Sequence, residues 1–485
     1  MLFQFSMICF FVVSLMLFHI LPVKIRKWSL LLFSALFVYW QGKIFGLLVL
    51  AFISLLSYVA GLVIGALKKS EKNSLVKIVS VISITAFAFI LFGWKYMQLA
   101  ASLLSVSIPD RITNAGIPIG LSFYTFQAIS YAADVWMGKT EAEKNPFKYA
   151  IYMMWFPKWM SGPIERAGDF IEKLDSCGST RLLDDKRFER GITYIVWGLF
   201  MKLMIADRIG VVVDKVYEDP AVYGFGVLII TSLLYTIQIY CDFAGYTNTM
   251  IGVSSFYGIE LTQNFRVPYM AENIVEFWRC WHISLSNFLK DYVYIPLGGN
   301  RKGSFRKAVN TLVVFLICGI WHGVGLSFIV WGLWHGIFNV ISSLLKKTKA
   351  ELLIKGALGR VISFCLVSFA WIFFRASSLG EAMKFIKGMV PFGSGLAAME
   401  GFALEEKLLL GISAMEWWIA AISILVLATI DVAAWKKKLI PPELISGRWG
   451  IVSRTVLLTL IMVAVVIFGR YGSGEDIRSF VYMQF

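Results

Sequence analysis

The sequence has few charged residues, only four histidines and no paired-cysteine motif. Asp, Glu, Lys and Arg make up 16% of its 485 residues, whereas 58% are hydrophobic. An ordinary soluble domain has about a quarter of its residues charged, so this balance excludes that class. The six cysteines are scattered and show neither metal-ligand spacing nor a disulfide framework, so we expect no metal site. No internal repeat or Ser/Pro-rich linker divides the chain, and we expect a single domain over residues 1–485.

What fills the sequence instead is a series of long apolar runs. Runs of bilayer length recur throughout the chain, which predicts an all-α polytopic protein of the cell membrane. Counting partial segments, we expect roughly eleven to thirteen transmembrane and re-entrant helices. The first run, from Phe3 to Ile20, has no basic segment before it and is followed by Lys24, Arg26 and Lys27. We therefore interpret it as a membrane span, not a cleaved signal peptide.

Positive charge is concentrated at the ends of the apolar runs. The chain has 46 Lys+Arg against 31 Asp+Glu, a net charge of +15. In a soluble protein this excess would suggest a nucleic-acid partner. Its location here favours orientation in the membrane and contact with anionic lipid, so we expect no nucleic acid. The positive-inside rule places the basic loops at 23–27, 68–77 and 301–307 in the cytoplasm, and the loop near 390 outside.

Two of the four histidines lie close together. His322 follows an uncharged run within Gly319–Gly325, and His335 comes thirteen positions later in a second apolar run. An imidazole at membrane depth is costly and by default marks a functional site, and it moves protons well near neutral pH. We predict that His322 is functional, with a packing role as the alternative; for His335 both interpretations stay open. Cys318 shares a helix face with His322, which leaves a Cys–His acyl relay open beside plain packing.

The remaining polar features lie in broken or amphipathic segments. Pro118–Gln127 and Phe156–Ile164 are interrupted by Pro and Gly, and such segments stay at membrane depth only when buried or lining a cavity. Asp242 borders an apolar run, so we expect it to be either paired or lined by polar groups. Residues 167–188 are expected to form a polar loop. Residues 263–307 mix aromatic rings with charges, which predicts an amphipathic region at the membrane interface.

Taken together, the motifs resemble those of the membrane-bound O-acyltransferases, in particular the branch of the alginate O-acetyltransferase membrane subunit. The resemblance covers nearly the whole chain and rests on Trp321–Gly323, Trp331–Gly336, Phe277–Ser286, Asp291–Arg301, Pro118–Gln127, Gly162–Ile164, Gln238–Tyr246, Phe369–Arg375 and Phe480–Phe485. The chain departs from the branch at Asn248 and Cys280, where Asp and Arg are expected. Neither departure replaces a motif histidine.

The resemblance implies both a fold and an activity. The fold is a ring of tilted helices around a tunnel that crosses the membrane. His322 is implied as the essential catalytic histidine and His282 as a second, supporting one. The implied donor is a cytoplasmic thioester, acetyl-CoA. The implied acceptor is an extracytoplasmic or cell-wall polysaccharide, reached directly or through a secreted or periplasmic acetyltransferase partner. The chemistry is consistent, because a neutral imidazole in an apolar tunnel can remove the proton of an attacking hydroxyl.

Two alternatives stay open at this point. The first is a D-alanyl transferase of teichoic-acid modification, which would take its acyl group from a carrier protein. The second is a non-enzymatic polysaccharide transporter or flippase, which would use the same broken helices and polar tunnel for passage alone. The sequence does not identify the polymer.

Overall fold

The computed structural model describes residues 5–105, 116–178, 185–346, 348, 354–390, 409–448 and 450–471. These ranges contain helices and no β-strand, so the all-α prediction is confirmed. Eight of the described helices are long and apolar enough to cross a membrane, and Ser6–Ile20 is a shorter apolar helix. The chain is therefore a multi-pass membrane protein. The motif Phe480–Phe485 and residues 391–408, which follow the position near 390 expected to lie outside, are not among the described residues.

The described residues form two compact units. The N-terminal unit comprises Phe5–Ile192 and Met250–Gln263, and the C-terminal unit comprises Thr193–Thr249 and the described residues from Asn264 onwards. The single domain over residues 1–485, and the tunnel within it, stay predictions.

The N-terminal unit begins with a helix over the first apolar run, followed by a much longer helix. In chain order its first seven helices are α1 (Phe5–Ile20), α2 (Val23–Lys69), α3 (Asn73–Leu104), α4 (Leu121–Met137), α5 (Pro146–Met154), α6 (Phe156–Trp159) and α7 (Ala167–Cys177). The 47 residues of α2 are too many for one crossing, since about 20 suffice. Its backbone leaves the helical region at Lys43 (φ 55°, ψ −170°), which divides it into two helical segments.

Two expectations for this unit have different outcomes. The broken segments are buried, as predicted: Lys158 is fully buried and donates a hydrogen bond to Gln127 Oε1. The polar loop expected from residue 167 is wrong, because α7 occupies Ala167–Cys177. Phe170, Ile171 and Leu174 form a buried stripe on this helix. That spacing is typical of an amphipathic helix, which an overall count of polar residues conceals.

The C-terminal unit holds the remaining helices, with α8 and α10 crossing the boundary between the units. They are α8 (Asp185–Leu199), a π-helix (Phe200–Ala206), α9 (Asp207–Glu218), α10 (Phe225–Phe256), α11 (Ile274–Cys280), α12 (Ile283–Leu289), α13 (Gly303–His322), α14 (Leu326–Leu345), α15 (Ala357–Arg375), α16 (Leu379–Gly388), α17 (Ala414–Lys437), α18 (Pro441–Arg448) and α19 (Ile451–Phe468).

A buried ion-pair cluster joins α10 to the π-helix. Lys202 Nζ lies 2.5 Å from Asp242 Oδ1 and 2.8 Å from Asp207 Oδ1. A charge at this depth persists only when it is paired, so the cluster satisfies both carboxylates and the ammonium. Of the two alternatives expected for Asp242, the structure shows the paired one. π-Helical turns occur frequently at functional positions, and here the turn places Lys202 between its two partners.

Helices α13 and α14 form a hairpin whose glycines allow close backbone contact. A Cβ atom on Gly319 would collide with the carbonyl oxygen of Phe328, and one on Gly332 would collide with that of Phe315. Small residues at such contacts let two membrane helices pack tightly. Gly323 likewise lies against the ring of Phe328. These glycines serve helix packing, which fixes the position of the histidine motif.

Within the region predicted at 263–307 to be interfacial, the aromatic rings of α11 and α12 face the protein interior. Phe277, Trp281 and His282 are each no more than 1% exposed, so these rings point inward. Two backbone hydrogen bonds fold the segment back on itself: Arg266 N–H donates to Cys280 O at 2.9 Å, and Ile283 N–H donates to Asn264 O at 3.0 Å. The helices have seven residues each, too few to reveal a buried face by periodicity.

Candidate active site

Three buried histidines lie within the C-terminal unit. His282 and His335 are fully buried, and His322 is 3% exposed. His322 is the last residue of α13, His335 lies in α14, and His282 immediately precedes α12. All three occupy regions that the sequence singled out, but their surroundings differ.

His322 lies within an aromatic wall. Its ring centroid is 4.6 Å from that of Trp321, 5.0 Å from Trp331 and 5.1 Å from Phe374. Phe374 belongs to the segment Phe369–Arg375, so a third helix, α15, contributes to the wall. These rings surround the imidazole and exclude water from it.

His282 reaches the same wall from a different part of the chain. Its ring centroid lies 6.3 Å from that of Trp321 and 4.8 Å from that of Phe243 on α10. Trp321 thus contacts both His282 and His322. The structure therefore brings together the two histidines that the sequence proposed as catalytic.

Asn264 fixes which nitrogen of His282 carries the proton. Its Oδ1 accepts from the Ser284 N–H at 3.1 Å and from the Ser284 hydroxyl at 3.0 Å. A backbone N–H can only donate, so this atom of the amide is the oxygen. His282 Nδ1 lies 3.3 Å from the same oxygen and must therefore donate to it. In the neutral ring the proton then sits on Nδ1, and Nε2 carries a lone pair.

The backbone of His282 is also unusual. It adopts a left-handed conformation (φ 42°, ψ 56°), which costs a non-glycine residue about 1–2 kcal/mol. Such outliers cluster at functional sites, where the surrounding structure enforces them. Burial lowers the pKa of His282 to about 3, so the ring is neutral at physiological pH. A strained, neutral imidazole that carries its lone pair on Nε2 is suited to accept a proton or a hydrogen bond at that atom.

His335 has the opposite tautomer. Trp278 Nε1–H donates to His335 Nδ1 at 3.2 Å, and an indole N–H cannot accept. The lone pair of Nδ1 is thereby used, and the proton of the neutral ring lies on Nε2. Among the residues that the structure describes, this Nε2 has no hydrogen-bond partner. The ring is surrounded by aromatic side chains, with Trp331 and Trp278 centroids at 5.0 Å and 5.1 Å. This environment favours packing over proton transfer.

Comparison with known proteins places this site in a family. The family model "MBOAT, membrane-bound O-acyltransferase family" matches residues 3–378, most of the chain. The chain belongs to the membrane-bound O-acyltransferase family. It is therefore a membrane enzyme, an O-acyltransferase, and the transporter alternative is disfavoured.

Relatives of this acyltransferase match over different shares of the chain. The protein named "Probable alginate O-acetylase AlgI" of Azotobacter vinelandii is 34% identical, over 78% of this chain and 75% of its own length. The peptidoglycan O-acetyltransferase of Helicobacter pylori is 31% identical, over 76% of this chain and 74% of its own. The teichoic acid D-alanyltransferase of Bacillus subtilis is 27% identical, over 42% of this chain and 54% of its own.

Sequence reasoning missed Asn264. Its only sequence signal is a polar amide beside Phe265, which is typical of any loop. Its partner His282 lies 18 positions away, so their pairing depends on the fold of the intervening segment. The contact of Phe374 with His322 was not predicted either, because it also depends on the fold. The segment Phe369–Arg375 that contains Phe374 was nevertheless one of the motifs on which the resemblance rests.

Two further predictions concern metals and thiols in the acyltransferase. Within the described ranges, no group of three or more His, Cys, Asp or Glu side chains could hold a metal ion. Cys318 is a buried free thiol on α13. The Cys–His acyl relay through it stays a prediction, as do the catalytic roles of His322 and His282.

Proposed function

We propose that this acyltransferase moves an acetyl group from a cytoplasmic thioester, acetyl-CoA, to hydroxyl groups of an extracytoplasmic or cell-wall polysaccharide. The observation that carries the proposal is the contact of both His282 and His322 with Trp321 inside a buried aromatic wall. The names of the relatives support it, because two well-matched ones are O-acetylation proteins of alginate and of peptidoglycan.

His322 is the general base of the proposed reaction. A hydroxyl is a poor nucleophile until its proton is removed during attack. As the hydroxyl oxygen forms its bond to the thioester carbonyl carbon, His322 takes the proton. When the carbon–sulfur bond then breaks, His322 returns the proton to the departing thiolate. His282 accepts a hydrogen bond at Nε2 from the acceptor hydroxyl and so positions it.

The length of α13 supports transfer across the membrane. This helix has 20 residues and begins beside Arg301 and Lys302, which the charge distribution assigns to the cytoplasm. At about 1.5 Å per residue, α13 is about 30 Å long. An untilted helix of this length spans about the whole thickness of the bilayer's hydrocarbon core. His322 at its far end is then beyond the reach of a donor lying on the cytoplasmic surface. The thioester enters through a tunnel, and the acceptor or a secreted or periplasmic partner approaches from outside.

Polymer analysis in the native host tests this function. Deleting the gene should remove O-acetyl esters from one surface polysaccharide, as measured by NMR of the purified polymer. Wild-type protein should restore them, whereas His322→Ala at equal membrane abundance should not. Loss of D-alanyl esters instead would favour the function named for the Bacillus subtilis relative. Unchanged acetylation of every surface polymer in the deletion strain would contradict the proposal.

A further inference from the structure

A carboxyl without a counter-charge lies inside a membrane span of the C-terminal unit. Asp431 is 6% exposed and belongs to α17, whereas the match to the family model ends at residue 378. Its Oδ1 atom has no hydrogen-bond partner among the described residues, and no described cation forms an ion pair with it. An ionisable residue at membrane depth is costly and by default marks a functional position. The roles proposed for His282 and His322 leave this carboxyl without one.

A second buried carboxyl of the same unit provides a comparison. Asp242 on α10 is 1% exposed, but the ammonium group of Lys202 balances its charge. Asp431 has no such partner, so it adds no ion pair to the stability of the fold, and its burial costs free energy. Whatever Asp431 contributes must therefore come from the hydrogen bond that it does form.

That hydrogen bond joins α17 to α10. The Tyr240 hydroxyl donates to the Asp431 carboxyl. Tyr240 is 3% exposed and lies two residues before Asp242 in the chain. A tyrosine side chain has only two rotatable bonds that move its ring, so a hydrogen bond to the hydroxyl fixes the direction in which the ring lies.

The Tyr240 ring packs against residues on both sides of the His282 turn. Its centroid is 6.1 Å from that of Phe265 and 6.4 Å from that of Trp281. The Phe265 and Trp281 rings also contact each other, with centroids 5.0 Å apart. Phe265 directly follows the asparagine that orients His282, and Trp281 directly precedes this histidine. Tyr240 therefore supports both chain segments on which the orientation of His282 depends.

Helix α17 contacts the same segment at a second point. Val267 has a left-handed backbone (φ 39°, ψ 60°), which is rare for a β-branched residue. Such a backbone persists only where the surrounding structure enforces it. Val267 packs with Ala434, three residues after Asp431 in α17, and with Leu444 of α18. This packing fixes α17 against the segment independently of the Asp431 carboxyl.

We propose that Asp431 is a positioning residue for acetyl transfer. Its carboxyl holds the Tyr240 hydroxyl, and the Tyr240 ring holds the turn that places His282 beside the reacting hydroxyl. The proposal rests on the proposed function and adds to it a residue that lies outside the family match. The alternative is that the hydrogen bond only attaches α17 to α10.

Removing both partners of the hydrogen bond separates these two roles. Tyr240→Phe/Asp431→Leu leaves no unsatisfied polar group, so the apparent melting temperature of the full-length protein in lipid nanodiscs should stay the same or rise. The kcat for acetyl transfer should nevertheless fall about tenfold, because one orienting hydrogen bond is lost, while the KM for acetyl-CoA stays unchanged. A kcat equal to wild type would refute the proposal. A fall in both melting temperature and kcat would make the bond structural and would also contradict it.

The conservative variant and a control on the same helix sharpen this test. Asp431→Asn should keep kcat within about threefold of wild type, because its amide oxygen can still accept from the Tyr240 hydroxyl. A tenfold loss in Asp431→Asn would contradict the proposal. Ser423 is also buried in α17, at 3% exposure, and Ser423→Ala should have the kcat of the wild type. An equal loss there would show that any change in α17 impairs transfer.

A double-mutant cycle shows whether the effect acts through His282. In a His282→Asn background, Tyr240→Phe/Asp431→Leu should lower kcat further by no more than about twofold, because no imidazole is left to orient. A further tenfold loss would mean that Asp431 acts independently of His282, which contradicts the proposal.

Nitrogen NMR tests the positioning role without turnover. The chain has only four histidines, so protein labelled at histidine gives few signals, and His282→Asn identifies the signal of His282. We expect the Nδ1–H tautomer in the wild type and a mixture of tautomers in Tyr240→Phe/Asp431→Leu. An unchanged His282 signal would refute the proposal. Absence of acetyl transfer by the wild type would count against the proposed function, and the NMR comparison would still decide the role of Asp431.

Discussion

The hairpin α13–α14 and the segment Asn264–Leu289 each carry buried histidines, but they hold them in different ways. In the hairpin, His322 and His335 project from regular helices into aromatic rings. In the segment, His282 sits at a left-handed turn and its ring is held by Asn264. His282 and His335 are equally buried, yet their hydrogen bonds give them opposite tautomers. The partner of the imidazole therefore distinguishes a candidate site residue from a packing residue, whereas burial does not.

The largest expected effect is that of His322→Ala. Removing a general base costs about 10²–10⁴-fold in rate, so acetyl transfer by this variant should fall to background. Membrane abundance and the elution profile on size-exclusion chromatography should match the wild type, because the residue lies at the end of its helix. Transfer within tenfold of wild type would remove His322 from the mechanism.

His282→Asn should cost about 10²-fold in kcat, at the lower end of the range for a proton-handling group. Asparagine tolerates left-handed backbone, and its amide can replace the Nδ1–H donor to Asn264. The asparagine side chain has no atom that replaces Nε2 as the carrier of the lone pair. A variant that folds normally and retains full kcat would make His282 a packing residue.

Asn264→Ala should lower kcat about tenfold while KM stays unchanged, because one hydrogen bond that orients His282 is lost. Ser284→Ala is the matched control. It removes a hydroxyl that also contacts Asn264 but leaves the imidazole contact in place. We expect its activity to stay within about threefold of wild type. Equal losses in the two variants would mean that the local fold, and not the tautomer of His282, is what Asn264 supports.

The smallest effect is expected for His335→Asn. The amide oxygen can accept the Trp278 N–H in place of Nδ1, so that donor is not left unsatisfied. Steady-state kinetics should show a kcat close to wild type. A loss as large as that of His282→Asn would break the distinction between the two histidines.

The same comparison explains how much could be predicted from the sequence. The hairpin was predicted well, because apolar runs of span length and a histidine within them are local features. The expectation that Asp242 is paired or lined by polar groups also rests on a local feature, because the residue borders an apolar run.

The segment Asn264–Leu289 was predicted poorly, because its burial depends on contacts between distant residues. Its mixture of aromatic and charged residues suits a membrane interface as well as a folded-back core segment. Backbone hydrogen bonds, such as the one that the Ile283 N–H donates to Asn264 O, distinguish a folded-back segment from an interfacial one. Such hydrogen bonds leave no pattern in the sequence. The orienting role of Asn264 could not be predicted for that reason.

A sidedness measurement in proteoliposomes tests the central claim that the acyl group crosses the membrane by reaction at His322. Protein orientation is first determined with a single engineered cysteine at position 304 or 390, after replacing the exposed Cys9 and Cys365 with Ser. Radiolabelled acetyl-CoA is then supplied on one face and a purified acceptor oligosaccharide on the other. We predict labelled acceptor only when the donor is on the face of position 304 and the acceptor on that of position 390, and none with His322→Ala. Equal labelling with donor and acceptor both on the face of position 304 would contradict the claim.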